Sequence, residues 1–388
     1  MKRPARILQV NPAFNNDAPS QGAAALAKCL DPAEFHVTAV SLRPRLGLNG
    51  TVTELEASGI QHVSLGIDGF FDVRVLARLV QFMRRVRPDI VHTHAFRADL
   101  WAGLAARMAG VPIVVSSIRN NDWDCFRTEQ PFPVARLAMA GSKIAVSFAD
   151  ILIAVSEGVR EHLVSVQKIS PVKIRVIPNG VDLERLGRLR SPPQMIRGQL
   201  NLAPGTPLVG TLAVFKPRKG LSYLVEAARA VLSRYPYVHF LLAGDGPERE
   251  AVEKQIQRLG IARNMHLLGF RDDAIALVDA LDIYVLPSLF EGFPRSVLEA
   301  MGLGKPVIVT DIGGSREAVR HGASGLIVPP RDPQGLAEAI CRLLESPQLR
   351  KSMGEAGRQA VQECFNARIN AASHQELYRE LLRVKEVT

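Results

Sequence analysis

The sequence predicts an α/β protein of two doubly wound, Rossmann-like domains that face each other across a cleft. Its 388 residues suit two domains of roughly 180 residues each better than one compact core. Short β-branched runs alternate with longer amphipathic helical patterns, which is typical of βαβ units and parallel sheets. This alternation stops near residue 178 and starts again after residue 207.

The first half of the chain contains seven strand candidates, which are RILQV, HVTAVSL, QHVSLG, DIVHTH, PIVVSSI, DILIAVS and IRVIPN. Helical patterns such as VRVLARLVQFMRRVR and ADLWAGLAARMAG lie between them, and the AGVP after the second pattern is a helix stop signal. The initial MKRPARILQVNP is interpreted as a first strand, because ILQV is too short for the apolar region of a signal peptide.

The second half repeats the pattern with LVGTLAVF, VHFLLAGD, MHLLGF, DIYVLPS, PVIVTD and SGLIVPP, and it becomes helical after Pro330. Residues 178–207 are rich in Pro, Gly and Arg and contain no long apolar run, which indicates a linker. The predicted domains are therefore residues 1–190 and 191–365.

Composition limits the class of protein. A hydrophobic content of 47% with 22% charged residues is ordinary for a soluble globular chain. Four separated cysteines without a C-x-x-C pair argue against disulfides or a zinc site, and favour a reducing cytoplasm. The most apolar long window, 134–156, is interrupted by Arg136, Lys143 and Asp150, which argues against a transmembrane helix.

The positive charge is concentrated in the first half. Residues 1–190 hold 24 Lys/Arg against 17 Asp/Glu, or +7, and residues 191–388 hold 24 against 21, or +3. This excess is compatible with anionic lipid head groups, with an anionic substrate, or with a solvated basic face. Nucleic acid is disfavoured because the basic residues are not clustered with aromatics, which make up 6% of the chain.

The stretch EGFPRSVLEAMGLGKPVIVTD supplies the first candidate ligand site. In open α/β sheets, ligands bind beyond the carboxyl ends of the strands, and Glu291 directly follows the strand DIYVLPS. Gly292 allows close approach to the backbone, and Pro294 suits a first helical turn. The N–H groups near Phe293 and Arg295 point to a phosphorylated or hydroxylated ligand. Glu299, on the helix, suits vicinal hydroxyls. Two solvated surface glutamates are the structural alternative.

Two other loops follow strands of the second half. FKPRKG places Arg218 and Lys219 where cations can neutralise a diphosphate, although a solvated basic turn is the alternative. In AGDGPERE, a tight strand-to-helix turn contains Gly244, Asp245 and Gly246, and it matches a dinucleotide loop only weakly because the later glycine is missing.

In the first half, DIVHTH ends with His92 and His94 on one face. A metal site is discounted because a third ligand is missing, and His94 is the better residue for contact with a substrate. A packed structural histidine is an equal alternative. Gly22 follows the first strand and opens a helix, and Arg119 and Asn120 follow the fifth strand.

The pattern E-G-F-P-x-x-x-L-E-A-M, followed by G-x-P-V-I-V-T-D-I-G-G and G-L-I-V-P-P, resembles the donor-sugar region of retaining glycosyltransferases of the GT-B fold, family 4. VHTHAFRADLWAGLAARMAGVP, AVSEGVREHL, KIRVIPNGVD and LLAGDGPERE resemble family segments in the family's order. The resemblance therefore extends over nearly the whole chain. It implies transfer of a sugar from a nucleotide donor to an acceptor hydroxyl.

By this resemblance, Glu291 contacts the donor sugar, Glu299 binds the ribose hydroxyls and Lys219 stabilises the departing diphosphate. The family's arginine, about five residues before the lysine, falls on Val214. Lys216 or Arg218 is expected to substitute for it.

The resemblance also implies that the backbone near Arg271 contacts the base and that the donor phosphate approaches Gly22, where the family usually has two glycines. Arg119 and Asn120 stand where many relatives carry a histidine, so no catalytic histidine is assigned there. His94 remains the candidate. The final helix, about 366–388, is expected to cross back onto the N-terminal domain.

The implied enzyme binds a UDP- or GDP-linked donor on residues 191–365 and its acceptor on residues 1–190. It retains the anomeric configuration and needs neither metal nor cofactor. The Asp122-Trp123-Asp124 sequence is interpreted as an acceptor-side or structural loop. We expect a hexosyl- or N-acetylhexosaminyl-type enzyme of polysaccharide, lipopolysaccharide or glycolipid synthesis, with a glycan or lipid-linked acceptor, in the cytoplasm or peripheral on the inner face of the membrane.

Three alternatives remain open at this point. A nucleotide-sugar 2-epimerase shares the two-domain architecture and the donor. A nicotinamide-dependent oxidoreductase requires a full G-x-G-x-x-G and a later acidic residue, and neither half supplies both. A non-catalytic nucleotide-sugar-binding relative is compatible with Val214 in the position of the arginine.

Overall fold

The computed structural model describes residues 3–44, 50–69, 72–120, 123, 129 and 131–387. The chain divides into two compact units. The first comprises Met1–Gly180 and Ala367–Thr388, and the second comprises Val181–Asn366.

The first unit contains a seven-stranded parallel sheet with the order β3-β2-β1-β4-β5-β6-β7. All seven expected strands are confirmed, as β1 Ala5–Asn11, β2 Phe35–Ser41, β3 Gln61–Ser64, β4 Ile90–His94, β5 Ile113–Ile118, β6 Ile151–Ala154 and β7 Ile174–Val176. The direction of strand addition reverses between β1 and β4. In doubly wound sheets this reversal opens a crevice at the carboxyl ends of the strands.

The strands are joined by the helices α1 Ala18–Cys29, α2 Gly50–Ala57, α3 Arg74–Val86, α4 Phe96–Ala109, α5 Phe132–Ser147 and α6 Glu157–Ser165. The first of these begins at Ala18, because the Asp17 carboxylate caps it by accepting a hydrogen bond from the Ser20 N–H at 2.9 Å. Gly22 therefore lies inside α1 and does not open it, which corrects the expectation from the sequence.

The second unit has a six-stranded parallel sheet with the order β10-β9-β8-β11-β12-β13. Its strands are the six expected ones, β8 Leu208–Leu212, β9 His239–Ala243, β10 Met265–Gly269, β11 Ile283–Leu286, β12 Val307–Thr310 and β13 Gly325–Val328. Here the reversal falls between β8 and β11. Both units are therefore doubly wound, Rossmann-like domains.

The second unit begins with two helices in the segment that the sequence indicated as a linker, α7 Leu183–Leu189 and α8 Pro193–Gln199. Its remaining helices are α9 Leu221–Arg234, α10 Arg249–Arg258, α11 Ala274–Ala280, α12 Arg295–Gly302, α13 Gly313–Ala318, α14 Pro333–Glu345 and α15 Pro347–Cys364.

The prediction of a linker at residues 178–207 is wrong. The boundary between the two units falls at Gly180–Val181, ten residues before the expected boundary at 190. The Val181 N–H donates to the Phe365 carbonyl at 2.9 Å. Leu186 and Ile196, on the apolar sides of α7 and α8, are buried in the second unit. Because these two helices bury apolar surface there, the segment is part of that unit.

The last helix, α16 Ala367–Val387, belongs to the first unit, as the resemblance implied. The Asn370 side chain donates to the Pro178 carbonyl at 2.6 Å, and the Arg379 guanidinium makes two hydrogen bonds to the Glu34 carboxylate at 2.7 and 2.8 Å. Of the residues expected in this helix, Asn366 falls in the second unit.

A buried polar network joins α16 to the sheet of the first unit. The Nδ1 atom of His92 lies 2.6 Å from the hydroxyl of Tyr378, and its Nε2 atom lies 2.8 Å from the hydroxyl of Ser117. Burial, together with the charges of His374 and Arg119, holds the pKa of His92 far below its usual range, so the imidazole is neutral at pH 7. His92 is therefore a packed structural histidine.

Within the described residues, no helix combines the length and hydropathy that crossing a bilayer requires.

We expect Tyr378→Phe to lower the free energy of unfolding by about 1–3 kcal/mol, because it leaves the buried Nδ1 atom of His92 without this hydroxyl partner. Urea unfolding followed by circular dichroism measures the change. Tyr237→Phe is the matched control, since Tyr237 is exposed. Equal stability of the two variants would show that the network does not hold α16 in place.

Candidate functional site

The candidate site of the second unit lies at the reversal of its strand order, where the loops after β8 and β11 are neighbours. The Leu289 N–H donates to the Arg218 carbonyl at 2.7 Å, which ties these two loops together through their backbones. The sequence-predicted residues Arg218, Lys219 and Glu291 are thereby brought into contact.

Glu291 lies at the centre of this contact, and its side chain is only 6% exposed. Its carboxylate is paired with the Lys219 ammonium and accepts a hydrogen bond from the Ser288 hydroxyl at 2.7 Å. The Arg218 guanidinium lies 3.8 Å from the other carboxylate oxygen. One buried carboxylate is thus held by two cations and a hydroxyl, an arrangement with a net charge of +1 that can attract an anion.

Burial by itself would raise the pKa of Glu291. The charges of Lys219 and Arg218, with hydrogen bonds from Lys219 and Ser288, outweigh that effect and hold the pKa below its ordinary value. Glu291 is therefore ionised at neutral pH. It can accept hydrogen bonds from hydroxyls, and it has no proton to donate.

The turn after Glu291 is fixed by an unusually close backbone approach. A Cβ atom at Gly314, in the first turn of α13, would lie 1.8 Å from the Gly292 carbonyl oxygen and 2.7 Å from the Phe293 Cα. Phe293 is buried, with its ring centroid 5.3 Å from that of Phe365. Pro294 occupies the N-cap position directly before α12, without a side-chain capping hydrogen bond, so it precedes the first turn in which the sequence placed it. A glycine at position 314 therefore sets the path of the candidate turn.

Glu299 lies one helical turn into α12 and is 14% exposed at its side chain. Its carboxylate accepts a hydrogen bond from Arg295 Nε at 2.9 Å. Arg295 is buried, and among the described residues its NH1 atom has no hydrogen-bond partner. The sequence indicated only the backbone N–H near Arg295 and missed its side chain, although the i,i+4 spacing of Arg and Glu on one helix face was a usable signal.

The glycine turn after β9 packs against the loop that carries the cations. Gly244 and Gly246 have φ angles of 130° and 154°, and a Cβ atom on either would overlap the backbone of residues 213–215. The Asp245 side chain accepts a hydrogen bond from the Gly246 N–H at 2.7 Å and is more than half exposed. Glycine is required here for close packing between two neighbouring loops.

Two further sequence candidates lie at this edge. The Arg271 guanidinium makes paired hydrogen bonds to Asp273, at 2.8 and 2.5 Å, so its side chain is held along its own loop. Val214, in the position of the family's arginine, is 51% exposed. Of the two expected substitutes for that arginine, Arg218 lies 3.8 Å from the Glu291 carboxylate, and the Lys216 N–H donates to the Val214 carbonyl at 2.8 Å.

The first unit has a second cluster, at the carboxyl ends of its strands. The Arg119 guanidinium lies 3.0 Å from Asn179 Oδ1 and 3.1 Å from His94 Nδ1. A Cβ atom on Gly22 would lie 2.9 Å from Arg119 NH1, so α1 approaches this guanidinium closely. Asn179 was missed, because 60 residues separate it from Arg119 and only the sheet brings them together.

His94 has no exposed surface, which differs from the expectation of a residue open to substrate. Burial and then the charges of His92 and Arg119 hold its pKa well below the usual range, so it is neutral at pH 7. Because a guanidinium can only donate, Nδ1 is the acceptor and the ring proton lies on Nε2. That buried Nε2 has no hydrogen-bond partner among the described residues.

Asn120 follows Arg119 and is half-buried. Asp122 and Asp124 of the D-x-D sequence lie outside the described residues. Within the part of the chain that is described, no three His, Cys, Asp or Glu side chains are grouped as metal ligands.

Two family models match the chain, one for each unit. Glycosyltransferase Family 4 matches residues 20–185, and Glycosyl transferases group 1 matches residues 194–360.

Curated relatives have similar lengths. The chain is 27% identical over 315 residues to the UDP-Gal:alpha-D-GlcNAc-diphosphoundecaprenol alpha-1,3-galactosyltransferase of Escherichia coli, covering 80% of each chain. It is 26% identical to the N-acetyl-alpha-D-glucosaminyl L-malate synthase of Bacillus anthracis, covering 81% of this chain and 80% of the other.

The fold is also similar to that of solved structures. The crystal structure of Anabaena HepE in complex with UDP and glucose covers 97% of this chain and 100% of its own, with a TM-score of 0.81 and 23% identity.

We expect Glu291→Gln to lower the free energy of unfolding at pH 7 by about 3 kcal/mol, because it leaves buried cations without their carboxylate. A depressed pKa stabilises the fold above the ordinary pKa of 4.5. This stabilisation is lost as the pH falls through the lower pKa of the folded protein. Urea unfolding at pH 7 and pH 3.5 should therefore show a smaller difference between variant and wild type at the lower pH.

Glu253→Gln is the control for this variant, since Glu253 forms a surface pair with Arg249 and should cost less than about 1 kcal/mol. A difference between Glu291→Gln and wild type that is independent of pH would contradict the proposed pairing.

We expect Gly314→Ala to lower the free energy of unfolding by about 1–3 kcal/mol, because its Cβ atom overlaps the Gly292 carbonyl. The displaced turn should also bind nucleotides more weakly. Gly187→Ala is the matched control, because a Cβ atom there meets no atom within 4 Å and helix propensity favours alanine. Thermal unfolding with and without ligand measures both effects, and equal behaviour of the two alanine variants would refute the packing argument.

Proposed function

Because this chain belongs to glycosyltransferase family 4, which has the GT-B fold, we propose that it transfers a sugar from a nucleotide-sugar donor to an acceptor hydroxyl. The observation that carries the proposal is the buried Glu291 carboxylate between Lys219 and Arg218, at the strand-order reversal of the second unit. This position supplies hydrogen-bond acceptors for a sugar and positive charge for a diphosphate.

The proposed donor is a UDP- or GDP-linked hexose or N-acetylhexosamine. A nucleoside diphosphate suits the second unit, where Glu299 on α12 is available to ribose hydroxyls and Arg295 orients its carboxylate. The E. coli relative is a UDP-galactose enzyme by name, and Anabaena HepE binds UDP and glucose, which supports a uridine donor.

The proposed chemistry follows from the charge state of these residues. Glu291 is ionised and so accepts hydrogen bonds from sugar hydroxyls without protonating the leaving group. Negative charge develops on the departing diphosphate, and Lys219 and Arg218 are positioned to stabilise it. We further propose that the reaction retains the anomeric configuration and that these two cations perform the charge stabilisation otherwise supplied by a divalent metal ion.

We propose that the first unit binds the acceptor. His94 is the remaining candidate for a catalytic or substrate-contacting role, through the Nε2–H that has no partner within the described ranges, and Gly22, Arg119 and Asn120 line the same edge. The proposed acceptor is a glycan or a lipid-linked glycan of polysaccharide, lipopolysaccharide or glycolipid synthesis. The proposed location is the cytoplasm, with peripheral association on the inner face of an anionic membrane.

Thermal unfolding of the pure protein with UDP, GDP, ADP, NAD and a panel of nucleotide sugars tests the donor. A ligand that binds only the folded state raises the unfolding midpoint according to its affinity. We expect either UDP or GDP, and one of the nucleotide sugars built on it, to raise the midpoint. Glu299→Ala should abolish that rise, and Glu376→Ala, an exposed substitution in the first unit, should leave it unchanged. A rise of the unfolding midpoint with NAD alone, or no rise with any of these ligands, would refute the proposal.

Turnover then tests the class of reaction. The donor incubated without acceptor should remain intact, whereas a 2-epimerase would scramble its sugar. With an acceptor, proton NMR should find the donor's anomeric configuration in the product, and EDTA should leave the rate unchanged. Loss of turnover in EDTA with restoration by manganese would contradict metal independence.

A further inference from the structure

The helix α5, Phe132–Ser147, presents an unusual surface to solvent. Its large apolar side chains Phe132, Leu137 and Ile144 are 74%, 70% and 54% exposed, and Val134 is also exposed. Isolated exposed apolar residues are ordinary, but a group of four on one helix indicates an interaction surface. Burying these residues needs a partner that is not part of the described chain.

The two sides of α5 differ in size and polarity. The side packed into the first unit carries Ala135, Ser142, Ala145 and Val146, all of them small or medium-sized and buried. Small residues allow close approach to α4, where a Cβ atom on Gly141 would lie 3.1 Å from the Phe96 ring. The larger apolar side chains of α5 are therefore on the outside, the reverse of the usual arrangement for a surface helix.

The charges of α5 have one sign. Arg136 and Lys143 are exposed on the outer side, and residues 132–147 contain no Asp or Glu. Among the described residues neither cation forms an ion pair, and the Arg136 guanidinium lies 5.7 Å from the centroid of the Phe132 ring. Residues three and four apart share a helix face, so these cations lie beside the exposed apolar side chains.

The position of α5 relates this surface to the candidate residues of the first unit. Gly141 lies against Phe96, which begins α4 two residues after His94, and Phe148 lies against Gly103, so the two helices run in the same direction. At 1.5 Å per residue, the start of α5 extends about 13 Å beyond the start of α4. Its exposed N-terminal half is therefore on the side of the sheet where the strands end.

We propose that the outer face of α5 docks onto a bilayer containing anionic lipids, with its apolar side chains entering the head-group region. A helix with a basic and apolar outer face and no acidic residue is complementary to such a surface, because lipids supply both negative charge and apolar depth. Docking on this side brings the carboxyl edge of the first sheet near the head groups. This inference rests on the membrane association proposed above, and it identifies the outer face of α5 as the surface that contacts the membrane.

Sedimentation with phosphatidylglycerol vesicles and with phosphatidylcholine vesicles tests this surface. We expect binding to phosphatidylglycerol at low salt, weaker binding at 0.5 M NaCl because salt screens the charges, and little binding to phosphatidylcholine. The paired substitution Arg136→Glu with Lys143→Glu should reduce the partition coefficient by roughly fivefold or more for each cation. Leu137→Glu should also reduce it, because a carboxylate opposes both insertion and the lipid charge.

The chain offers a matched control surface at the opposite edge of the same sheet. Val172 is 76% exposed in the turn Pro171–Lys173 before β7, with the exposed Lys168 and Lys173 nearby. Val172→Glu and the pair Lys168→Glu with Lys173→Glu change the net charge by the same amounts. They should retain nearly wild-type vesicle binding, and circular dichroism should show that all variants are folded.

Three results would overturn the assignment. The first is failure of the wild type to sediment with phosphatidylglycerol vesicles. The second is a loss of binding in the control variants equal to that in the α5 variants, which would leave only net charge as the cause. The third is a wild type that is a dimer in analytical ultracentrifugation and α5 variants that are monomers. This result would mean that a second copy of the chain covers the outer face of α5. Since lipid binding needs no turnover, these outcomes are separate from failure of the transferase proposal.

Discussion

The buried carboxylate of Glu291 is the constraint on which the candidate donor site depends. An ionised group is costly to bury unless cations and hydrogen-bond donors surround it, so the loops after β8 and β11 must remain together. The backbone hydrogen bond from Leu289 to Arg218 holds the same two loops. The interactions that stabilise this edge are therefore also those that keep positive charge in place for a phosphorylated ligand.

Backbone packing extends this constraint to the neighbouring loops. Gly314 lets α13 approach the Gly292 carbonyl, and the glycines after β9 let that turn pack against residues 213–215. The loops after four adjacent strands are thus in mutual contact, and glycines allow the backbones to approach closely in two of these contacts. Such packing leaves the backbone itself, with its N–H groups, close to any ligand bound there.

The residues at the strand-order reversal of the first unit have a different chemistry. His92 and His94 are neutral at pH 7 because they are buried near Arg119, and a hydrogen bond links His92 to Tyr378 on α16. The charge there is one guanidinium held between His94 and Asn179, where the second unit has a paired carboxylate. Together with the basic and apolar outer face of α5, this arrangement supports the proposal that the first unit binds the acceptor.

The sequence by itself determined the fold class, all thirteen expected strands and the positions of Glu291, Lys219 and Arg218 in loops that follow strands of the second unit. It could do so because buried parallel strands require continuous β-branched runs, and because ligand-binding side chains directly follow those runs in the chain. The Arg295–Glu299 pair was equally local and detectable from its spacing.

Only the tertiary structure decided which distant residues meet. The segment that the sequence indicated as a linker forms α7 and α8, because the rest of the second unit provides a surface that buries their apolar sides. The tertiary structure also buried His94 and brought Asn179 to Arg119 across 60 residues, and it turned the large side chains of α5 outward. Burial and long-range pairing depend on how elements pack, which local periodicity does not encode.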